Sequence, residues 1–270
     1  MARKDKLLRY SIFDPTGNIT ALVESPVPVA GQPRVAAEIM TLHQAVEQVG
    51  FVSRSDVDGV DLELRMAGGE FCVNASLSAA ALFCLHEGDR PVVLQVSGAE
   101  RPVAVTLRRE GDGFLGCMVM PRAAGIQCET FAFGSVQAEL PLVRSKGISH
   151  LVIEPSSPFY ALLNRREDAE GAVKRWCEQL GADGLGLMFL SGEKDAWHLT
   201  PLVYVPGSDT VFWENSCASG SAAVGMLLAS RHSETVELAL EEPGGTLRVK
   251  SDPISGETWL FGHTKRIFET

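Results

Sequence analysis

The sequence predicts an α+β protein of two pseudo-symmetric domains. Each is expected to be a mixed or antiparallel, barrel-like sheet wrapped around a central helix. Three observations carry this expectation. Short β-type runs dominate both halves of the chain. Each half also holds one amphipathic helical pattern. Finally, each half holds one segment of small and apolar residues without a polar face, and the two lie about half a chain length apart. A length of 270 residues suits two domains of about 130 residues each.

The runs Leu7 to Phe13, Val60 to Met66, Pro91 to Val96, Val103 to Arg108 and Phe114 to Met120 alternate in polarity or carry β-branched residues. Leu151 to Ile153, Leu187 to Leu190, Leu199 to Val205, Val236 to Leu240 and Thr246 to Val249 do the same in the second half. An amphipathic helix is expected from Val35 to Val49, because Val35, Ile39, Leu42, Val46 and Val49 recur every three or four positions. Gly50 then reads as its stop. A second is expected from Phe159 to Leu180, with Leu162, Leu163, Val173, Trp176 and Leu180 as its buried stripe and Gly181 after it.

The third kind of helix occurs as a pair. Residues 72–83 and 217–228 are both small-residue-rich and apolar nearly all round, as helices inside a sheet must be. Superposed, Cys72 meets Cys217, Ser76 meets Ser221 and Leu82 meets Leu227. This reads as a degenerate internal duplication. The boundary is expected near Met120-Pro121-Arg122, dividing the chain into residues 1–121 and 122–261, with residues 262–270 expected to return to the first domain.

Composition narrows the function. Asp plus Glu number 34 against 24 Lys plus Arg, a net charge of −10, which disfavours nucleic acid and anionic membrane surfaces as partners. The longest apolar run, Ala79 to Leu85, is far short of the roughly 20 residues that span a bilayer. The charged start, with no apolar segment after it, leads us to expect a cytoplasmic protein. Six cysteines (72, 84, 117, 128, 177 and 217) include no Cys-x-x-Cys pair, and the six histidines are scattered. No metal site and no cofactor are expected.

Cys72 and Cys217 are each placed at or just before a helix N-terminus. Unpaired N–H groups there bind anions and lower a thiol pKa. Core packing alone gives no reason for a cysteine to recur at the same cap. Inverting a carbon stereocentre does need two alike groups. One removes a proton from one face of the carbon and the other delivers a proton to the opposite face. The active site is therefore expected at the domain interface, with a small molecule as partner. The remaining cysteines read as fillers, and His150 and His198 as structural.

Several motifs carry a resemblance. Asp14-Pro15-Thr16-Gly17-Asn18, Glu47-Gln48-Val49-Gly50-Phe51, Gly69-Glu70-Phe71-Cys72-Val73-Asn74-Ala75, Tyr204-Val205-Pro206, Trp213-Glu214-Asn215-Ser216-Cys217-Ala218-Ser219-Gly220-Ser221 and Pro243-Gly244-Gly245 occur in order along the chain. Together they resemble the diaminopimelate epimerase fold family of cofactor-independent racemases and epimerases. Within it the chain is most similar to the histidine racemases of opine-metallophore biosynthesis.

The resemblance implies that Cys72 and Cys217 are the acid/base pair and that Asn18, Gln48 and Asn74 are amides touching an amino-acid substrate. It further implies that the backbone N–H groups of Val73, Asn74, Ala218 and Ser219 cradle the substrate carboxylate. Asn18 could instead be only a turn residue after Gly17, and Gln48 a solvated residue of a helix end. Glu47 reads either as an acceptor for a basic side chain or as a solvated helix charge. Glu214 reads either as support for a thiol or as a strand end. Phe51, Tyr204 or Trp213 could pack against a substrate ring.

Two departures stand out, since Val73 and Ala218 replace the family's usual glycines. The distal polar residues of a diaminopimelate site are also missing, which favours histidine. The alternatives are diaminopimelate epimerase, a racemase of another amino acid, a phenazine-type isomerase of the same fold, and a non-catalytic amino-acid binder. A homodimer is an open expectation.

Overall fold

The computed structural model describes residues 8–193 and 196–270. Leu7, with which the first expected strand begins, lies outside the described residues. The first half runs β1 (Tyr10–Asp14), β2 (Thr20–Val23), α1 (Gln32–Leu42), β3 (Gln48–Arg54), β4 (Leu62–Met66), α2 (Val73–Glu87), β5 (Val92–Val96), β6 (Val103–Glu110) and β7 (Gly113–Val119). The second half continues with β8 (Gly125–Phe133), β9 (Val136–Arg144), β10 (Ser149–Ile153), α3 (Arg166–Leu180), β11 (Leu185–Glu193), β12 (Ala196–Val205) and β13 (Thr210–Trp213). It ends with α4 (Ala218–His232), β14 (Val236–Glu242), β15 (Gly245–Asp252) and β16 (Glu257–Glu269).

The strands join in one hydrogen-bonded path, β1-β2-β3-β4-β5-β6-β7-β16-β15-β14-β12-β11-β10-β9-β8, with β13 beside β12. A further pairing, β1 with β16, closes the first eight strands of that path into a ring. The long β16 serves both halves. Trp259 to Thr264 pair with β7, Glu257 to Phe261 with β15, and Lys265 to Glu269 with β1.

α2 sits inside the ring. Every residue from Val73 to Cys84 is buried, which a helix with no polar face requires. α4 takes the matching place against β14, β15 and β16, with Ala222, Ala223, Val224 and Leu227 buried. One continuous core spans both helices, from Leu77 and Leu82 to Val224, Leu247 and Leu260. Separate satellite cores seat α3 through Val173 and Trp176, and α1 through Val35 and Ile39. No helix among the described residues is long and apolar enough to cross a membrane.

Two expected helices are corrected. The pattern from Val35 to Val49 spans a helix and a strand. α1 stops at Leu42, which is 74% exposed, and Val46 and Val49 belong to the approach and start of β3. Parallel pairing to β2 and antiparallel pairing to β4 satisfy the β3 backbone on both sides, so tertiary pairing overrides a helical spacing that local sequence alone allowed. Gly50 is thus a mid-strand residue, where a Cβ would lie 2.8 Å from Leu64 Cδ1. The pattern from Phe159 to Leu180 begins as a 3₁₀ turn, Pro158–Asn164, and becomes α-helical at Arg166. Its C-terminus is as expected, with Gly181 left-handed at φ 58°.

Candidate active site

Both central helices begin at a cysteine. Cys72 is the N-cap of α2, with φ −130° and ψ 117°, and Cys217 is the N-cap of α4, with φ −128° and ψ 94°. A cap residue is extended while its successor is helical, so its side chain stands over the free N–H groups of the first turn. The two thiols line one cavity of about 40 Å³. Asn18, Gln48, Glu70, Asn74, Glu214 and Ser219 form its polar wall.

The motifs that are far apart in sequence meet here because their backbones nearly touch. Gly17, at φ 88°, lies so close to Gly244 that a Cβ on it would stand 2.4 Å from Gly244 Cα. Gly244 N–H donates to Asn215 O at 2.7 Å. These contacts hold the Asp14–Asn18 turn, the strand end before Cys217 and the Pro243-Gly244-Gly245 turn together.

The thiols have different partners. Cys72 Sγ accepts the Ala75 N–H at 3.3 Å and donates to Gln48 Oε1 at 3.0 Å. Cys217 Sγ lies 3.6 Å from Ser219 Oγ, which lies 3.1 Å from His150 Nε2. The Cys217 N–H donates to Glu242 Oε2 at 2.7 Å, and the Ser221 hydroxyl donates to Glu242 Oε1.

An amide and carboxylate network links the halves. Asn18, 1% exposed, donates from Nδ2 to Glu47 Oε2 at 2.6 Å, and its Oδ1 accepts from Gln48 Nε2 and from Asn74 Nδ2 at 3.1 Å. Gln48 faces Thr20 across the β2–β3 ladder and donates to its hydroxyl at 2.7 Å. Asn74 Nδ2 also donates to Ser216 O at 3.2 Å, whereas Asn74 Oδ1 is buried without a partner among the described residues. Glu47 spends both oxygens on Asn18 and Asn215, and so binds the first half to the second.

Burial and charge set the protonation states. Burial raises the Cys72 thiol pKa well above its ordinary value, over the opposing pull of the Ala75 N–H, and Glu214 and Glu70 add to the rise. Burial also raises Cys217, helped by Glu214 and Glu242 and only partly opposed by Ser219 and the Gly220 N–H. The expected lowering by a helix terminus is therefore corrected: desolvation and neighbouring carboxyls outweigh it. Burial likewise raises Glu47, Glu70 and Glu214, and lifts Glu242 to about 8. It drives His150 down to about 3, so that imidazole is neutral.

Of the expected residues, Cys72, Cys217, Asn18, Gln48, Val73, Asn74, Ala218, Ser219 and Glu214 border the cavity. Glu47 borders a neighbouring cavity of about 120 Å³ instead. Val73 and Ala218 are the first helical residues after the caps and are absent from the positive-φ residues, so a Cβ there imposes no backbone strain. Phe51, Tyr204 and Trp213 border neither cavity. Phe51 packs in the α1 core, and Trp213 stacks on Phe189 at 5.8 Å. Phe71 and Phe212 are the aromatic residues that do.

Glu70, Asn215 and Glu242 are site residues for which the sequence motifs suggest no role, and His150, expected to be structural, reaches the site through Ser219. Glu70 and Asn215 stand inside the quoted motifs, and Glu242 directly precedes Pro243. That adjacency was the available signal, but nothing in it shows which side chains turn inward. His198 pairs with Glu241 at the surface. Among the described residues no group of three or more His, Cys, Asp or Glu side chains is arranged to hold a metal ion.

Known proteins share this fold over nearly the whole chain. The hydroxyproline epimerase from Agrobacterium vitis, solved with bound trans-4-hydroxy-L-proline, superposes with a TM-score of 0.72 at 10% identity, over 100% of this chain and 93% of that one. It establishes the fold. The histidine racemase of Fusobacterium nucleatum subsp. nucleatum is 30% identical over 258 residues, covering 92% of this chain and 90% of the relative. The histidine racemase of Staphylococcus aureus is 28% identical over 253 residues, covering 91% and 89%. The family model described as the histidine racemase CntK N-terminal domain matches residues 7–258. With nearly the whole chain matched, this protein belongs to the histidine racemase family.

Proposed function

We propose that this protein racemises histidine at Cα by a two-thiol mechanism, with Cys72 and Cys217 on opposite faces of the substrate. The observation that carries the reading is the pair of cysteine-capped helices whose thiols border one small cavity. The α-carboxylate would lie on the first-turn N–H groups of Val73, Asn74, Ala218 and Ser219, which have no preceding carbonyl to accept them. The buried Asn74 Oδ1 would accept from the α-ammonium.

The raised thiol pKa values fit this scheme. The resting site is crowded with carboxyl groups and keeps both sulfurs protonated. A zwitterionic substrate brings its ammonium into that site. With the substrate carboxylate neutralised on the helix N–H groups, the ammonium lowers the thiol pKa, and the proton of one sulfur passes to a neighbouring carboxylate. That thiolate then takes the Cα proton, while the opposite thiol returns one to the other face. Donors on the carboxylate hold the charge that develops there. Glu214, near both thiols in charge interaction, is placed to trade a proton with Cys217.

The test is chiral chromatography of purified protein incubated with L-histidine. D-histidine should accumulate toward an equal mixture, and faster than enantiomers of diaminopimelate, lysine, glutamate or alanine form from their own substrates. Faster turnover of diaminopimelate, or of any of the others, would overturn the choice of substrate.

A further inference from the structure

We infer that Glu70 is the residue that recognises the substrate side chain, accepting an imidazole N–H at its free Oε2. The inference rests on the reading of this protein as a histidine racemase.

Three buried side-chain atoms among the described residues have no hydrogen-bond partner, and two of them, Asn74 Oδ1 and Glu70 Oε2, belong to residues that border the thiol cavity. A buried acceptor without a donor costs roughly 1–3 kcal/mol, so two around one small cavity point to a ligand that brings two donors. An amino acid with a side-chain N–H brings them, one on its ammonium and one beyond Cβ.

The position of Glu70 agrees. Glu70, Gln48 and Glu214 border both the 40 Å³ thiol cavity and the adjoining 120 Å³ cavity. The first surrounds Cα and the second continues from it. An engineered cavity of about 150 Å³ binds benzene, and an imidazole ring has one ring atom fewer. The 120 Å³ cavity carries Phe212 and Val203 as apolar walls for the ring faces. Gly68 makes the space for the carboxyl. A Cβ on it would stand 2.6 Å from Glu70 Oε2 and 2.5 Å from Val205 Cγ1.

Of the other two acids of this cavity, Glu47 already has both oxygens engaged by Asn18 and Asn215, and Glu214 is turned to the Cys217 thiol. Glu70 Oε2 has no hydrogen-bond partner among the described residues. Burial raises its pKa, and nearby backbone N–H groups and Arg65 offset this only in part. A donor from the ring supplies what the site lacks.

The experiment compares Glu70→Gln and Glu70→Ala with the wild type on histidine and on its two ring N-methyl isomers. Free imidazole binding is measured by calorimetry alongside. In the wild type, methylation of the donating nitrogen should reduce kcat/KM by about 10- to 100-fold. Glu70→Ala should reduce histidine turnover by a similar factor and shrink that discrimination to within about threefold. Imidazole binding should weaken at least tenfold.

A carboxylate that only tuned the nearby Cys72 thiol would lower turnover of all three substrates alike and leave the discrimination intact, and that result would overturn the inference. Unchanged discrimination in both variants, with melting temperatures at the wild-type value, would do the same while leaving racemisation standing. If the wild type failed to racemise histidine, the functional reading would fail by itself. Glu70-dependent imidazole binding would still support the ring site, and its absence would remove that too.

Discussion

The first turns of α2 and α4 carry a cysteine at the same cap position, followed by a small or apolar residue, yet they are closed in different ways. In α2 the Cys72 sulfur itself accepts the Ala75 N–H, and Ser76 bonds back to Cys72 O at 2.7 Å. In α4 the Cys217 sulfur makes no capping hydrogen bond, although the Gly220 N–H in the equivalent place still pulls its pKa down. Glu242 reaches in from the end of β14 to take the Cys217 N–H and the hydroxyl of Ser221, the counterpart of Ser76. Both thiols feel Glu214, but Cys72 is hydrogen-bonded by amides, Ala75 N–H and Gln48, whereas Cys217 has Glu242 beside it and, through Ser219, a neutral imidazole. The difference teaches that a duplicated helix need not duplicate its electrostatics. Racemisation needs two groups alike in chemistry, and the surroundings are free to tune each separately.

The largest expected effect tests the likeness. Cys72→Ser and Cys217→Ser should each cut racemisation by about 10³- to 10⁴-fold, because an alcohol is a far weaker acid/base than a thiol near neutral pH. Each should retain slow α-proton exchange into one enantiomer only, the opposite one in each variant. Exchange into the same enantiomer in both would break the two-face assignment. Asn74→Ala removes the buried acceptor together with the tie from Asn18 to Ser216 across the two halves. It should lower kcat/KM by about 100-fold, mostly through KM.

Glu242→Gln addresses the unlikeness. In the Cys72→Ser background, where Cys217 alone exchanges the proton, it should change the exchange rate by about tenfold. In the Cys217→Ser background the change should stay within about twofold. Equal changes would mean that Glu242 serves the whole site rather than one thiol. The same variant has a stability signature. Burial lifts Glu242 from an ordinary value near 4.5 to about 8, so the folded state holds that proton more tightly than the unfolded chain. Its stabilisation is present below about pH 4.5 and is lost as pH rises toward 8. The contribution is at most about 1.4 kcal/mol per pH unit. Chemical denaturation between pH 5 and 8 should show a shallower decline in Glu242→Gln than in the wild type.

The smallest effect concerns the replaced glycine of α2. Val73 is 1% exposed at a helical position. Val73→Gly should cost about 2–3 kcal/mol of stability through lost burial and gained chain freedom, and should leave kcat/KM within about threefold. A large gain in activity would show that the Val73 side chain obstructs the site.

The central helices were legible because α2 and α4 have no polar face, a pattern with few uses other than enclosure by protein. The cysteine caps were legible from the alignment of the two segments. β3 was not, since Val46 and Val49 fit a helical spacing as well as a strand one. β8 was hidden because it lies at the end of the sheet path, where exposed or half-exposed polar residues such as Gln127 and Glu129 blur the alternation. The site was legible as a set of motifs but not as a set of bonds. That Glu47 is spent on amides, that Glu70 is free and that Glu242 caps α4 all depend on side-chain directions fixed by tertiary contacts, such as the approach of Gly17 to Gly244.

Racemisation of L-histidine by the wild type in deuterium oxide, followed at early times by chiral separation and mass, tests the two-thiol account most directly. The account predicts D-histidine carrying one solvent deuterium at Cα, while the remaining L-histidine keeps its original proton. D-histidine that retains the substrate proton would mean that one group serves both faces, and would contradict the account.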